Sequence, residues 1–182
     1  LWTSNPGRIL NTAHVEFLDK LAAEVYKIIP LNDPIFASTA AKKLRVTDAV
    51  RTPGKQVELI WDKKKKKTDA QILSLYNGAW WVKKVLQCYP NDFATALATV
   101  EARVAKGSKR GGHLYGNGVD IGTLYNLHAE GAKKNAWDTI SEADMKKTRF
   151  VKAVVQACRT LGASPVVEDY QEHIHITFPV PK

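Results

Sequence analysis

The sequence has little cysteine, little histidine and no long apolar run. Its two cysteines among 182 residues do not have the paired spacing of a zinc finger. No stretch approaches the roughly 20 consecutive apolar residues of a membrane-spanning helix, so no transmembrane segment is expected. The first ten residues, LWTSNPGRIL, also lack the apolar stretch of a signal peptide. Because the chain has no initiating Met, we expect a processed or trimmed form.

Basic charge and apolar residues are abundant instead. Hydrophobic residues make up 45% of the chain, which is ample for the core of one domain. The formal net charge is +9, so the expected partner is anionic. Nucleic acid, a membrane surface and the bacterial cell wall all satisfy that condition, and charge alone does not choose among them.

The spacing of apolar residues predicts an α+β fold. Helical spacing runs from Val15 to Ile29, KKLRVTDAV alternates like a strand, and Thr52 with Pro53 is typical of a helix start. DKKKKKTD (62–69) indicates a charged loop, and the next two segments, 69–90 and 91–107, each indicate a helix. We therefore expect one domain, 1–182, with a central antiparallel sheet flanked by helices and a helical, Lys-rich insertion at about 62–109.

The C-terminal segment SPVVEDYQEHIHITFPV follows a helix predicted at about 145–162 and supplies one or two closing strands. Cys158 falls on the apolar face of that helix, which favours a buried thiol. A disulfide with Cys88 is the alternative in an oxidising compartment. Within the closing strand, His173 and His175 are two residues apart and should point to one face. Five histidines would give such a pair by chance roughly one time in ten, so the pair alone is weak.

A glycine-rich segment supplies the other half of a candidate site. GSKRGGHLYGNGVDIG (107–122) has six glycines in sixteen residues, which requires a tightly turning backbone. His113 and Asp120 flank this turn and can face one another across it. With His175 they form two imidazoles and a carboxylate, a tetrahedral zinc set with one position open for water. The alternative is a surface loop in which His113 and Asp120 are simply paired.

These motifs resemble those of the zinc peptidases of the bacterial cell wall. That group includes D-alanyl-D-alanine carboxypeptidases, the penicillin-insensitive murein endopeptidase and related phage endolysins, which share HxxxxxxD and a late HxH or ExxH box. HLYGNGVDIG is similar to the histidine box of the carboxypeptidase branch, and VTDAVRTPGKQ (46–56) to the segment that precedes it. The resemblance covers about residues 44–179. It departs at Gly111 and Gly112, where a serine often precedes the box.

The resemblance implies a small α+β domain, a single Zn²⁺ and hydrolysis of peptide bonds in peptidoglycan. His113, Asp120 and His175 would be the zinc ligands. Arg51 would match the arginine that steadies the carboxylate or the developing oxyanion of the substrate. A structural salt bridge is the alternative role for Arg51.

Two residues are candidates for the general base. Glu172 stands three residues before His175, as in the ExxH box, and His173 stands two before it, as in the HxH box. Strand alternation puts His173 on the metal's side, but a bulged strand end could turn Glu172 there. Because the segment that contains Arg51 (46–56) resembles that of the carboxypeptidase branch, Glu172 is slightly favoured as the general base.

We therefore expect a monomeric, zinc-dependent endopeptidase or carboxypeptidase that acts on peptidoglycan in the periplasm or outside the cell, with no organic cofactor. The bond cleaved stays open, as does the choice among housekeeping enzyme, phage lysin and antibacterial effector. His175-Ile-Thr177 also matches one HxT box of a phosphoesterase, but the required second box is absent. The remaining alternative is a non-catalytic basic module that binds cell wall or nucleic acid. No nucleic-acid-binding motif is present, so nucleic acid is not the expected partner.

Overall fold

The structure is a computed structural model that describes residues 2–37, 42–107, 112–134, 139–168 and 172–179. The chain divides into two compact units. The first unit comprises Leu1–Val50 together with Gly111–Lys182, and the second comprises Arg51–Arg110. The insertion expected at about 62–109 falls inside the second unit.

A five-stranded sheet organises the first unit, with the strand order β1-β2-β3-β5-β4. β1 pairs with β2 in parallel, and the other three pairings are antiparallel. The expectation of an α+β fold with a mostly antiparallel sheet is confirmed. The strands are β1 (Trp2–Ser4), β2 (Leu44–Asp48), β3 (Gly118–Gly122), β4 (Ser164–Glu168) and β5 (His173–Thr177).

Eight helices occur in the described ranges, with α2 to α5 in the second unit and the other four in the first. Two 3₁₀ turns, Pro34–Phe36 and His113–Tyr115, add to the first unit. The helices are α1 (Thr12–Ile28), α2 (Pro53–Lys64), α3 (Asp69–Leu75), α4 (Trp80–Gln87), α5 (Phe93–Ala105), α6 (Leu124–Ala129), α7 (Glu142–Lys147) and α8 (Arg149–Thr160).

The core of the first unit joins α1 and α8 to one face of the sheet. Both helices have apolar residues at helical spacing, and those residues are buried, for example Leu18 and Leu21 on α1 and Val154 on α8. They belong to one cluster with buried strand residues such as Ile121 and Ile174. Burying a side chain of this kind stabilises the fold by about 1.5–3 kcal/mol.

Alternation along the strands leaves polar side chains on the opposite face of the sheet. Val119 and Ile121 on β3 are core residues, so Asp120 between them points to the other face. The antiparallel register pairs Asp120 with His175 and Gly122 with His173. Three residues predicted to act in the site therefore share one face because of strand pairing alone.

In the second unit, the structure differs from the predicted bounds of one loop and one helix. α2 begins at Pro53 and Thr52 caps it, as expected, but it continues to Lys64, so the charged loop is shorter than 62–69. The single helix expected over 69–90 is wrong, because it is two helices, α3 and α4. Asn77 and Gly78 between them have φ angles of 51° and 68°. This left-handed conformation, which an Asn-Gly pair readily adopts, ends a helix.

The cysteines and the helices bear on two further expectations. Cys88 and Cys158 are both free thiols, and Cys158 is fully buried in the core. The buried-thiol interpretation of Cys158 is therefore confirmed. Within the described residues, no helix combines the length and the apolar character needed to span a lipid bilayer.

Candidate metal centre

Three side chains from three different elements converge on the polar face of the sheet in the first unit. His113 comes from the 3₁₀ turn, Asp120 from β3 and His175 from β5. Oδ1 of Asp120 lies 3.0 Å from Nε2 of His113 and 2.8 Å from Nδ1 of His175. One potential ligand atom from each residue lies within 4.8 Å of the other two. The structure thus brings together the His, Asp and His predicted from the two motifs.

The glycine-rich loop places His113 over β3 because the backbone passes very close to itself. A Cβ at Gly118 would overlap the backbone of Gly112 and His113, so only glycine fits there. The side chain of Asn117 accepts a hydrogen bond from the Gly112 amide at 2.8 Å and donates one to the Phe178 carbonyl at 2.9 Å. Asn117 thereby ties the loop to the end of β5, the strand that carries the second histidine.

The nitrogen of each imidazole that faces away from Asp120 also contacts an oxygen. Nδ1 of His113 bonds to the backbone carbonyl of Ala49, which follows a register shift in β2. Nε2 of His175 lies 3.4 Å from the hydroxyl of Thr177. A carbonyl can only accept, so Nδ1 of His113 carries a proton and Nε2 is the nitrogen directed at the centre. Outer hydrogen bonds of this kind fix the orientation of metal-binding histidines.

The electrostatics of the centre are dominated by Asp120, which is only 2% exposed. Burial alone would raise the pKa of its carboxyl group, but hydrogen bonds from His113 and His175 outweigh that effect and hold the pKa well below its usual range. Asp120 is therefore ionised at neutral pH. A buried carboxylate facing two imidazole nitrogens is a donor set that suits a divalent transition metal.

The two candidates for the general base occupy different positions. Nε2 of His173, a residue 5% exposed, lies 3.7 Å from Oδ2 of Asp120. Glu172 adopts a left-handed conformation with φ of 49°, and its carboxylate accepts a hydrogen bond from the amide of Ile140 at 3.2 Å. The structure therefore places His173 beside the centre and directs the Glu172 carboxylate to Ile140.

A further acidic residue at the centre is Glu168 on β4, which the sequence motifs do not include. Glu168 pairs with His173 in the register of β4 and β5, and its Oε2 lies 2.9 Å from Nε2 of His173. That hydrogen bond lowers the pKa of Glu168, so the carboxylate is ionised. Interpreting SPVVEDYQEHIHIT as a hairpin would have paired residue 168 with residue 173 and so indicated Glu168.

Arg51 belongs to the second unit, directly before the cap of α2. Its charge acts on Tyr76 of the same unit. Burial raises the pKa of the Tyr76 hydroxyl, while a hydrogen bond from Gln56 and the positive charge of Arg51 oppose the rise. The Gln56 side chain donates to that hydroxyl at 3.1 Å. The catalytic role that the family resemblance implies for Arg51 stays a prediction.

His113, Asp120 and His175 could thus hold a metal ion, since one potential ligand atom from each lies within 4.8 Å of the other two. Comparisons with protein-family models, with curated proteins and with solved structures find no match to this chain.

Proposed function

We propose that this protein is a zinc-dependent peptidase that cleaves peptide bonds in the stems or cross-links of peptidoglycan. On this proposal it acts in the periplasm or outside the cell. The observation that carries the proposal is the convergence of His113, Asp120 and His175 within 4.8 Å. Three protein ligands that leave a position open are typical of catalytic rather than structural zinc sites.

The remaining support comes from the sequence motifs and the charge. The spacing HxxxxxxD followed by HxH is that of the zinc cell-wall peptidases, and both boxes contribute to the same centre. The net charge of +9 suits an anionic polymer as substrate. When bound, zinc would polarise a peptide carbonyl and lower the pKa of a coordinated water molecule towards about 7.

The side chains around the centre then have distinct roles. The Ala49 carbonyl and the Thr177 hydroxyl hold the rings of His113 and His175 so that one nitrogen of each points inward. Asp120 supplies a negative charge that offsets part of the metal's charge. Because it is ionised and nearly buried, it contributes this charge without competition from bulk water.

For proton transfer we favour His173, although the sequence placed Glu172 slightly first. His173 lies beside Asp120, whereas the Glu172 carboxylate is hydrogen bonded to Ile140. The Glu168 carboxylate, 2.9 Å from Nε2 of His173, would stabilise the positive charge of the ring when His173 takes up a proton. A general base in this position contributes about 10²–10⁴-fold to the rate.

Digestion of purified sacculi tests the proposal directly. The zinc-loaded protein is incubated with sacculi, and mass spectrometry identifies the soluble products. We expect muropeptides with shortened or uncrosslinked stems, and the mass lost identifies the bond. The Asp120→Ala variant should release none, whereas Glu16→Gln, which changes an exposed carboxylate on α1, should match the parent protein.

Two results would contradict the proposal. Sacculi that bind the protein but release no muropeptide would favour the non-catalytic wall-binding alternative. Release that persists in Asp120→Ala after complete metal removal would show that the His-Asp-His centre is not the catalytic site.

A further inference from the structure

We propose that Arg45 forms a carboxylate-binding subsite beside the metal centre and recognises a free carboxylate of the stem peptide within about two residues of the cleaved bond. This inference rests on the proposed function of the same site and specifies its substrate further. Peptidoglycan stems carry such groups, because a D-glutamate linked through its side chain keeps a free α-carboxylate and the terminal residue keeps another.

Arg45 shares the polar face of the sheet with the metal centre. Its neighbours on β2, Leu44 and Val46, are fully buried in the core, so Arg45 points to the opposite face. In the sheet register Arg45 is paired with Gly122, and Gly122 is paired with His173 on its other side. The side chains of Arg45 and His173 therefore lie on either side of Gly122, which has no side chain.

Gly122 provides the space that the guanidinium group occupies. A Cβ at this position would lie 3.0 Å from Nη2 of Arg45 and 2.6 Å from Cγ2 of Thr47. The guanidinium thus extends over β3, the strand that carries Asp120. Gly122 and Asp120 are two residues apart on β3, which corresponds to about 6.6 Å along the strand. Roughly two residues of an extended peptide span the same distance. A carboxylate at Arg45 and a carbonyl at the metal centre can then belong to one short peptide.

The ring of Tyr125 orients the guanidinium group of Arg45 without neutralising its positive charge. It stacks on the ring of Tyr125, with 4.9 Å between the guanidinium carbon and the ring centroid. Stacking uses the flat face and leaves the N–H edge, which matches the two oxygens of a carboxylate. Within the described ranges no acidic side chain forms an ion pair with Arg45.

Two carboxylates on the polar face of the sheet already have other partners. Glu168, at the far end of the row that contains Arg45, is hydrogen bonded to His173. Asp120 is hydrogen bonded to His113 and His175. Arg45 is half-buried, and a cation in that position gains most from a charged partner. A carboxylate that arrives with the substrate would supply it.

A matched pair of synthetic stem peptides tests the subsite. One peptide has the free carboxylate and the other has a carboxamide at the same position. Calorimetric titration of the zinc-loaded protein gives the affinity, and mass spectrometry afterwards shows whether the peptide is intact. Where it is cleaved, kcat/KM gives the same comparison. We expect a preference for the carboxylate of about 10- to 100-fold, the usual effect of a charged hydrogen-bond pair.

Three variants assign the preference to Arg45. Arg45→Met should abolish it, because no donor remains. Arg45→Lys should keep only part of it, because the charge persists without the two-pronged geometry. Arg159→Met, which changes an exposed arginine on α8, should leave the preference unchanged.

The outcomes separate this inference from the proposed function. Hydrolysis of sacculi together with a preference that survives in Arg45→Met would overturn the subsite and leave the peptidase intact. A preference that Arg45→Met abolishes, without hydrolysis by any form of the protein, would support the subsite and contradict the peptidase. Equal affinity of the parent protein for the two peptides would also overturn the subsite.

Discussion

Asp120 on β3 and His175 on β5 are direct partners across the sheet, with 2.8 Å between Oδ1 of Asp120 and Nδ1 of His175. The antiparallel ladder holds directly opposed residues at a fixed spacing. Two ligands of the candidate centre are therefore positioned by backbone hydrogen bonds that form with the fold itself. Only His113 depends on a loop, and the close approach of Gly118 to that loop restricts it.

The first prediction concerns metal content. Protein purified without added metal should contain one zinc per chain by elemental analysis. Asp120→Ala should contain almost none, because two remaining histidines do not hold the ion in its geometry. Glu16→Gln should keep the parent stoichiometry. Full zinc occupancy in Asp120→Ala would contradict the assignment of Asp120 as a ligand, and iron in place of zinc would contradict the proposed metal.

Local geometry accounts for each half of the predicted ligand set, and the order of the two motifs joined the halves. His173 and His175 share a face through strand alternation, and a glycine-rich turn brings His113 back over Asp120. These relationships need no knowledge of distant contacts. Local spacing also explains why α1 was predicted correctly, since its apolar residues recur at helical spacing and the pattern ends at Pro30.

The residues that support the ligands were not predicted, because their positions depend on pairing between distant segments. The Ala49 carbonyl reaches His113 only because β2 lies beside β3 with a shifted register. Glu168 reaches His173 through the register of β4 and β5. The direction of the Glu172 carboxylate depends on one left-handed backbone conformation, which side-chain periodicity does not reveal.

The second prediction concerns acid stability without metal. The folded-state pKa of Asp120 lies below its unfolded value, so its stabilising contribution is complete above about pH 4. That contribution is lost as the pH falls from there towards the folded pKa. In urea unfolding with a chelator, the free energy of unfolding should fall more steeply between pH 5 and pH 3 for the parent protein than for Asp120→Asn. Equal slopes would contradict the depressed pKa.

The third prediction concerns thiol reactivity. Cys158 is fully buried, and burial raises its pKa to about 12. At pH 9 roughly one such thiol in a thousand would be ionised, and only the thiolate reacts. Iodoacetamide should therefore modify partly exposed Cys88 in the native protein and Cys158 only after unfolding. Peptide mass mapping distinguishes the two, and native labelling of Cys158 at the rate of Cys88 would contradict the packed core.

The fourth prediction compares the two candidates for the base. His173→Ala should lower turnover of peptidoglycan by about 10²–10⁴-fold while zinc remains bound. Glu172→Gln should keep near-normal turnover and lose up to about 1.5 kcal/mol of stability, since its hydrogen bond to Ile140 is weakened. Rate, zinc content and urea unfolding are measured for both variants. The reverse pattern of rates would identify Glu172 as the base.

The fifth prediction concerns Glu168, which we expect to act through His173 as a positioning residue. Its carboxylate holds Nε2 of His173 at 2.9 Å and stabilises a proton there. Glu168→Ala should lower kcat by about 10- to 100-fold, with KM and zinc content nearly unchanged, as found when an outer partner of a functional histidine is removed. Glu168→Gln, which keeps a hydrogen-bond acceptor without the charge, should have a kcat between those of Glu168→Ala and the parent protein.

The pH profile of kcat separates a positioning role from a structural one. Removing the negative charge of Glu168 should shift the acidic limb of the profile to lower pH. A fall in unfolding free energy with kcat and the pH profile unchanged would reduce Glu168 to a structural contact between β4 and β5.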